Sequence, residues 1–165
     1  MGSASGFRFL AAFVLSFALG TGAAAPTALA NDESLRAAGK SRDAQFERLG
    51  KQSRKLFSAW RRSGFSASRA LPVLRNLKRT RNELDRVEGA LRAEEPSSEG
   101  GATYKSLILR SLSSFDGSLR AQLTGVRART AKKKRVAARA FRRADRLGEA
   151  AFRDEKAAIA AYNSR

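Results

Sequence analysis

The sequence predicts an all-α protein: an elongated antiparallel bundle of four helices, or three if two of them run on as one very long helix, behind an N-terminal signal peptide. Three observations lead there. Apolar residues recur at steps of three and four along most of the chain after residue 31, the spacing that lays them on one helical face. No stretch alternates apolar and polar residues as a half-buried strand does. Past the leader only two prolines interrupt the chain, Pro72 and Pro96. Composition pulls the other way. In residues 31–165, Leu, Ile, Val and Phe make up about 19% under a formal charge of +17, a balance that leans toward disorder. Composition is blind to periodicity, and the periodicity is strong.

Residues 1–30 have the three parts of a secretory leader. Arg8 supplies the positive start, Phe9 to Leu19 an apolar run of 11 residues, and Ala28-Leu29-Ala30 a small-x-small cleavage site before Asn31. A helix needs about 20 apolar residues to span a bilayer, so this run reads as a removable signal and not an anchor. The expected destination is the periplasm or the extracellular medium, with residues 31–165 forming a single helical domain.

The first helix is expected over 32–62. Leu35, Ala38, Phe46, Leu49, Leu56 and Trp60 mark its stripe, and Arg42 and Ser53 interrupt it. Ser63-Gly64-Phe65-Ser66 ends it. A second helix over 69–94 carries Pro72 near its start, where a missing N–H is tolerated, and its stripe is Ala70, Val73 or Leu74, Leu77, Leu84, Val87 and Leu91. The run Glu95 to Gly101 is the clearest loop in the chain, and its acids read as a hydrophilic turn without calcium-loop spacing. A third helix over 103–128, capped by Thr103, presents Tyr104, Ile108, Leu112, Phe115, Leu119 and Val126 on one face. The fourth, over 131–162, is the most clearly amphipathic. Its apolar arc runs from Val136 through Phe141, Ala144, Leu147 and Ala151 to Tyr162, with a separate Arg-rich arc opposite. The joint at Gly125 to Lys134 has no strong turn signal, yet the apolar stripe lapses there: a break gives four helices, continuity gives three. Interior glycines such as Gly89, Gly117 and Gly125 each cost up to about 1 kcal/mol against Ala, so marginal stability is expected.

The chemistry of the chain is narrow. With no Cys and no His, it has no disulfide, no thiolate or imidazole metal ligand, no imidazole base and no Cys nucleophile. The acids at Asp43/Glu47, Glu83/Asp85/Glu88 and Asp154/Glu155 stand among Arg and Lys at helical spacings, which should hold them ionised and unsuited to acid catalysis. No enzyme, cofactor or metal is expected. Lys132 to Arg135 match a nuclear-import pattern, but a secreted chain would not show it to the nucleus. Trp60 beside Arg61 and Arg62 reads as core, since it continues an apolar stripe.

What remains is charge. The chain holds 33 Lys and Arg against 15 Asp and Glu. Ten of the cations fall between 127 and 146, at Arg127, Arg129, Lys132, Lys133, Lys134, Arg135, Arg139, Arg142, Arg143 and Arg146, with Asp145 the one acid among them. If a helix starts near Thr130, Lys132 to Arg135 crowd the positive end of its dipole, an unfavourable placement. Either the helix runs on through this point, or the charges serve a partner. These ten residues are the candidate anion-binding site of an exported cationic protein, its partner a polyanion: nucleic acid, anionic lipid or an acidic envelope polymer. The alternative is a helical adaptor or chaperone-like protein that holds another polypeptide in apolar helix seams, where Leu109 and Leu112 would matter most.

Overall fold

The computed structural model describes residues 28–163, with side chains from residue 32 onward. It is all-α. Five helices follow one another: α1 (Ala28–Lys40), α2 (Asp43–Arg62), α3 (Ala67–Ala93), α4 (Glu99–Thr130) and α5 (Lys134–Asn163). The expected leader lies, through residue 27, outside the described residues, and Ala28-Leu29-Ala30 form the first turn of α1.

The long helices α2 to α5 pack as a bundle in which each runs antiparallel to the next. Asn76 of α3 donates to the Leu49 carbonyl of α2 at 3.2 Å. Arg81 of α3 meets Asp116 of α4 at 2.5 Å, and Arg110 of α4 grips Asp154 of α5 with two hydrogen bonds. Along each seam the contacts run in opposite chain order: Arg42 and then Leu49 meet Glu83 and then Asn76, Arg81 and then Arg92 meet Asp116 and then Lys105, and Ser111 and then Ser118 meet Ala151 and then Ala144.

The core follows from heptad-like spacing. In α3 the buried positions Ala70, Val73, Leu77, Thr80, Leu84, Val87 and Leu91 alternate steps of three and four, as in a coiled-coil seam. Thr80 fits this apolar row because its hydroxyl is satisfied by the Asn76 carbonyl one turn back. Helix α4 is buried on the widest arc, with one face toward α3 and another toward α5.

The α4–α5 pair is the tightest, and small residues make it so. Ala137, Ala144, Ala151 and Ala158 repeat every seven residues along α5 and are buried. Facing them on α4 are Tyr104, Ser111, Ser118 and Gly125, also seven apart. Ser111 donates across the seam to the Ala151 carbonyl and Ser118 to the Ala144 carbonyl, both at 2.8 Å, which requires the two backbones to lie close. At Gly125 a β-carbon would sit 2.7 Å from the Phe141 ring. Of the apolar arc expected on α5, Ala144 and Ala151 are buried, Phe141, Leu147 and Tyr162 are half-buried, and Val136 is exposed.

Several expected boundaries move. The helix expected over 32–62 is two helices, broken at Ser41 and Arg42, where the stripe lapses; the Ser41 hydroxyl closes α1 by donating to the Ala38 carbonyl at 2.7 Å. Helix α4 starts at Glu99, four residues before the expected 103. Its cap is Ser98 and not Thr103: the Ser98 Oγ accepts from the Gly101 amide at 2.9 Å. Asp32 of α1 sets this start. Its carboxylate accepts from the Ser97 amide and the Ser98 hydroxyl, and it occupies the space a Gly101 side chain would need. An anion at a helix N-terminus is favourable on both hydrogen-bond and dipole grounds. Pro72 stands at the sixth position of α3, past the first turn expected for it, so one intrahelical bond is missing there.

Candidate anion-binding site

The joint left open by the sequence is a break. Helix α4 ends at Thr130, and the chain turns through Ala131, Lys132 and Lys133 into α5. The closure is a Schellman motif: the Lys133 amide donates to the Ala128 carbonyl at 2.8 Å and the Lys132 amide to the Arg129 carbonyl at 3.0 Å. The residue in the left-handed conformation is Lys132, at φ 59°, a position usually held by glycine.

The break excludes a helix that runs on through the basic run. A helix end does exist at Lys134, and α5 has no acid in its first turn. Arg127 and Arg129 lie favourably in the last turn of α4, but Lys132 to Arg135 stand at the positive end of α5. Local helix electrostatics therefore opposes the cluster, and no run-through helix relieves it.

A second turn lies at the same end of the bundle. Helix α2 closes with its own Schellman motif, the Phe65 amide donating to the Trp60 carbonyl and the Gly64 amide to the Arg61 carbonyl. Gly64 and Phe65 both have positive φ, and the Phe65 ring packs edge-on against Trp60 with centroids 5.0 Å apart. The Arg129 guanidinium sits 4.1 Å over the Phe65 ring, joining the α2–α3 turn to the end of α4. Trp60 is fully buried, in keeping with a core role.

This juxtaposition enlarges the site beyond what the chain order shows. Residues 48–82 contain eleven Lys and Arg and no acid; residues 117–144 contain ten and no acid. The fold brings these two segments to the same end. One half of the bundle thus holds twenty-one cations and no carboxylate, while all fifteen acids lie in the other half with ten of the described cations. Nineteen of the twenty-one are exposed; Arg81 and Arg129 are half-buried. The border is marked by Glu47, paired with Lys51, and by Asp116, which bridges Arg81 and Arg120 at 2.5 and 2.6 Å. In the opposite half the charges are interleaved, as in Glu83 with Arg42 and Arg86, and Glu88 with Arg92.

Of the ten residues singled out from sequence, Lys132, Lys133, Lys134 and Arg135 form the turn and the first residues of α5. Arg139, Arg142 and Arg143 continue along α5, and all seven are exposed. Arg127 is exposed on α4, while Arg129 is engaged with Phe65. Arg146 lies past Asp145, outside the acid-free half. Reading along the chain missed Arg61, Arg62, Arg69, Arg75, Lys78 and Arg79, which the α2–α3 hairpin brings to this end. Their signal was the absence of any acid from 48 to 82, not the density of their own charge.

One expectation about the acids is overturned. Neighbouring cations do not keep Asp43 and Glu155 in the ordinary carboxylate range. Asp43 starts α2, Glu155 lies late in α5, and both turn inward near Tyr104. Burial pushes Asp43 up to about 6, with Lys40 pulling back, and burial together with the Asp43 charge pushes Glu155 up to about 7. Burial likewise raises Tyr104 above the ordinary phenol range. The helical spacings were right, but the two carboxyls face another acid across the bundle instead of the cations on their own helices.

Among the described residues, no helix is long and apolar enough to cross a membrane, and no group of three or more acids is placed to hold a metal ion. Leu112 is buried in the core and Leu109 is half-buried against it. The chain matches no protein-family model, and no significant counterpart is found among curated proteins or solved structures.

Proposed function

We propose that this is an exported, non-enzymatic cationic protein that holds a polyanion with the acid-free half of its helical bundle. The observation that carries the reading is the segregation of charge: twenty-one cations and no carboxylate at one end. Interspersed signs would serve solubility at lower electrostatic cost, and a like-charged half works against the compact state by self-repulsion. Arginine supplies most of the exposed charge there, and its planar fork suits paired contacts with phosphate or carboxylate oxygens. Lys132, in a backbone conformation that disfavours a side chain, adds one more cation at the tip. Export rests on the leader at residues 1–30, and the periplasm or medium is the compartment it implies.

Retention on heparin and on duplex DNA across a salt gradient tests the reading. A site making about six phosphate contacts should lose on the order of 10³ in affinity between about 50 and 200 mM salt, because each neutralised phosphate releases counterion. Weak binding that does not change with salt would contradict it.

A further inference from the structure

Among the described residues, the exposed large apolar side chains are Leu71, 54% exposed, and Val136, 42% exposed. Both lie at the basic end. Leu71 is the fifth residue of α3 and Val136 the third of α5, so each stands within about 6 Å, along its own helix axis, of the turn that begins that helix. The two turns are held at one end by the Arg129–Phe65 contact. Arg69 and Arg75 flank Leu71, while Lys132 to Arg135 and Arg139 surround Val136. Elsewhere the described large apolar residues are at least half-buried; at this end two stand uncovered inside the cationic field.

A scattered exposed leucine has no meaning alone. Two such residues at one end, both ringed by Lys and Arg, form a surface with two properties that must be satisfied together. A nucleic acid would satisfy the cations but offers no general apolar phase to a leucine and a valine. An anionic bilayer satisfies both: head-group phosphates meet the cations, and the acyl boundary beneath accepts shallow apolar side chains. We infer that the basic end docks on an anionic phospholipid bilayer, tip first, with Leu71 and Val136 entering the interface and the surrounding Arg and Lys side chains holding head-group phosphates. The inference rests on the polyanion reading above and names the anion.

The test is co-sedimentation of the purified protein with vesicles of phosphatidylcholine alone and of phosphatidylcholine mixed with phosphatidylglycerol, with heparin binding measured in parallel. The variant Leu71→Ser/Val136→Ser changes only exposed side chains, and circular dichroism checks its helicity. The expected result is binding to the anionic vesicles and not the neutral ones at near-physiological salt. The double variant should lose vesicle affinity by at least about tenfold while its heparin affinity stays within about twofold. Vesicle binding unchanged in the double variant overturns docking through Leu71 and Val136, heparin binding without binding to the anionic vesicles overturns the bilayer as the anion, and either result leaves the polyanion reading standing. Failure to bind vesicles, heparin or DNA even at low salt overturns both.

Discussion

Lys132 shows how a single residue can carry a cost that the fold alone does not require. The Schellman turn needs a left-handed residue, and Lys132 fills that position at φ 59°. Lys132→Gly should therefore raise stability by about 1 kcal/mol in urea denaturation while weakening heparin binding. Glu155 makes a different prediction, in pH. It is buried at 2% exposure and its folded value is about 7, with Asp43 at the start of α2 at about 6. Lys40 faces Asp43, while Tyr104, which senses both acids, is also reached by Arg36 and Tyr162. Both carboxyls hold protons more tightly folded than unfolded. Their contribution to stability is fully present below about pH 4 and is lost as pH rises through about 6 and 7. Between pH 4.5 and 7.5 the wild type should lose roughly 2 kcal/mol that Glu155→Gln retains, measured as the difference between their denaturation curves. The sequence placed Glu155 among basic neighbours; it could not place it opposite Asp43, because that meeting is made by the antiparallel return of α5.

At the scale of elements, the seam between α4 and α5 shows why small residues matter. In sequence, Ser111, Ser118, Gly125 and Gly148 look like gaps in apolar stripes or weak points in helices. In the bundle they are buried and let two backbones approach. Enlarging one should be more costly than filling an open glycine. Ala144→Leu should destabilise the protein by about 1–3 kcal/mol through overpacking. Gly89→Ala, where an added β-carbon meets nothing within 4 Å, should stabilise it by up to about 1 kcal/mol. Thermal denaturation of the two variants checks both signs. The cores of α3 and α4 were legible because Leu, Val and Ile mark them at steps of three and four. The α5 seam was less so, because its buried row is alanine, and Val136, the first residue of the expected arc, faces outward. The start of α4 was hidden by the two glycines at 100 and 101, which read as loop; Gly101 makes room there for Asp32, a residue 69 positions earlier. The lapse at Arg42 and the lapse after Gly125 both marked true breaks, although neither has a strong turn signal of its own.

For the whole molecule, the central feature is a bundle with its charges sorted by end. Chain order showed only the cluster on the last helix, since the cations of 48–82 are spaced evenly and none of their stretches looks extreme. Folding both hairpins to the same end doubles the number of cations gathered there. Such an end repels itself, so added salt or a soluble polyanion should raise the midpoint of thermal unfolding, and the gain should be larger with heparin than with sodium chloride at equal ionic strength. The adaptor reading fares less well on physical grounds, because the seams it needs are filled by the protein's own helices. A polar residue at Leu112 would unfold the core before it reported on any partner.

The most direct measurement compares two triple charge reversals of equal size. One variant changes Arg75, Lys133 and Arg139 in the acid-free half to Glu; the other changes Arg92, Arg153 and Lys156 in the mixed half. All six residues are exposed. Binding to heparin is followed as a function of salt, with circular dichroism confirming that both variants remain helical. If the acid-free half is the docking end, the first variant should lose most of its affinity, and its salt dependence should become shallower as ionic contacts to the polyanion are lost. The second variant should stay near wild type. Equal losses in both would show that only net charge matters and would contradict a localised site.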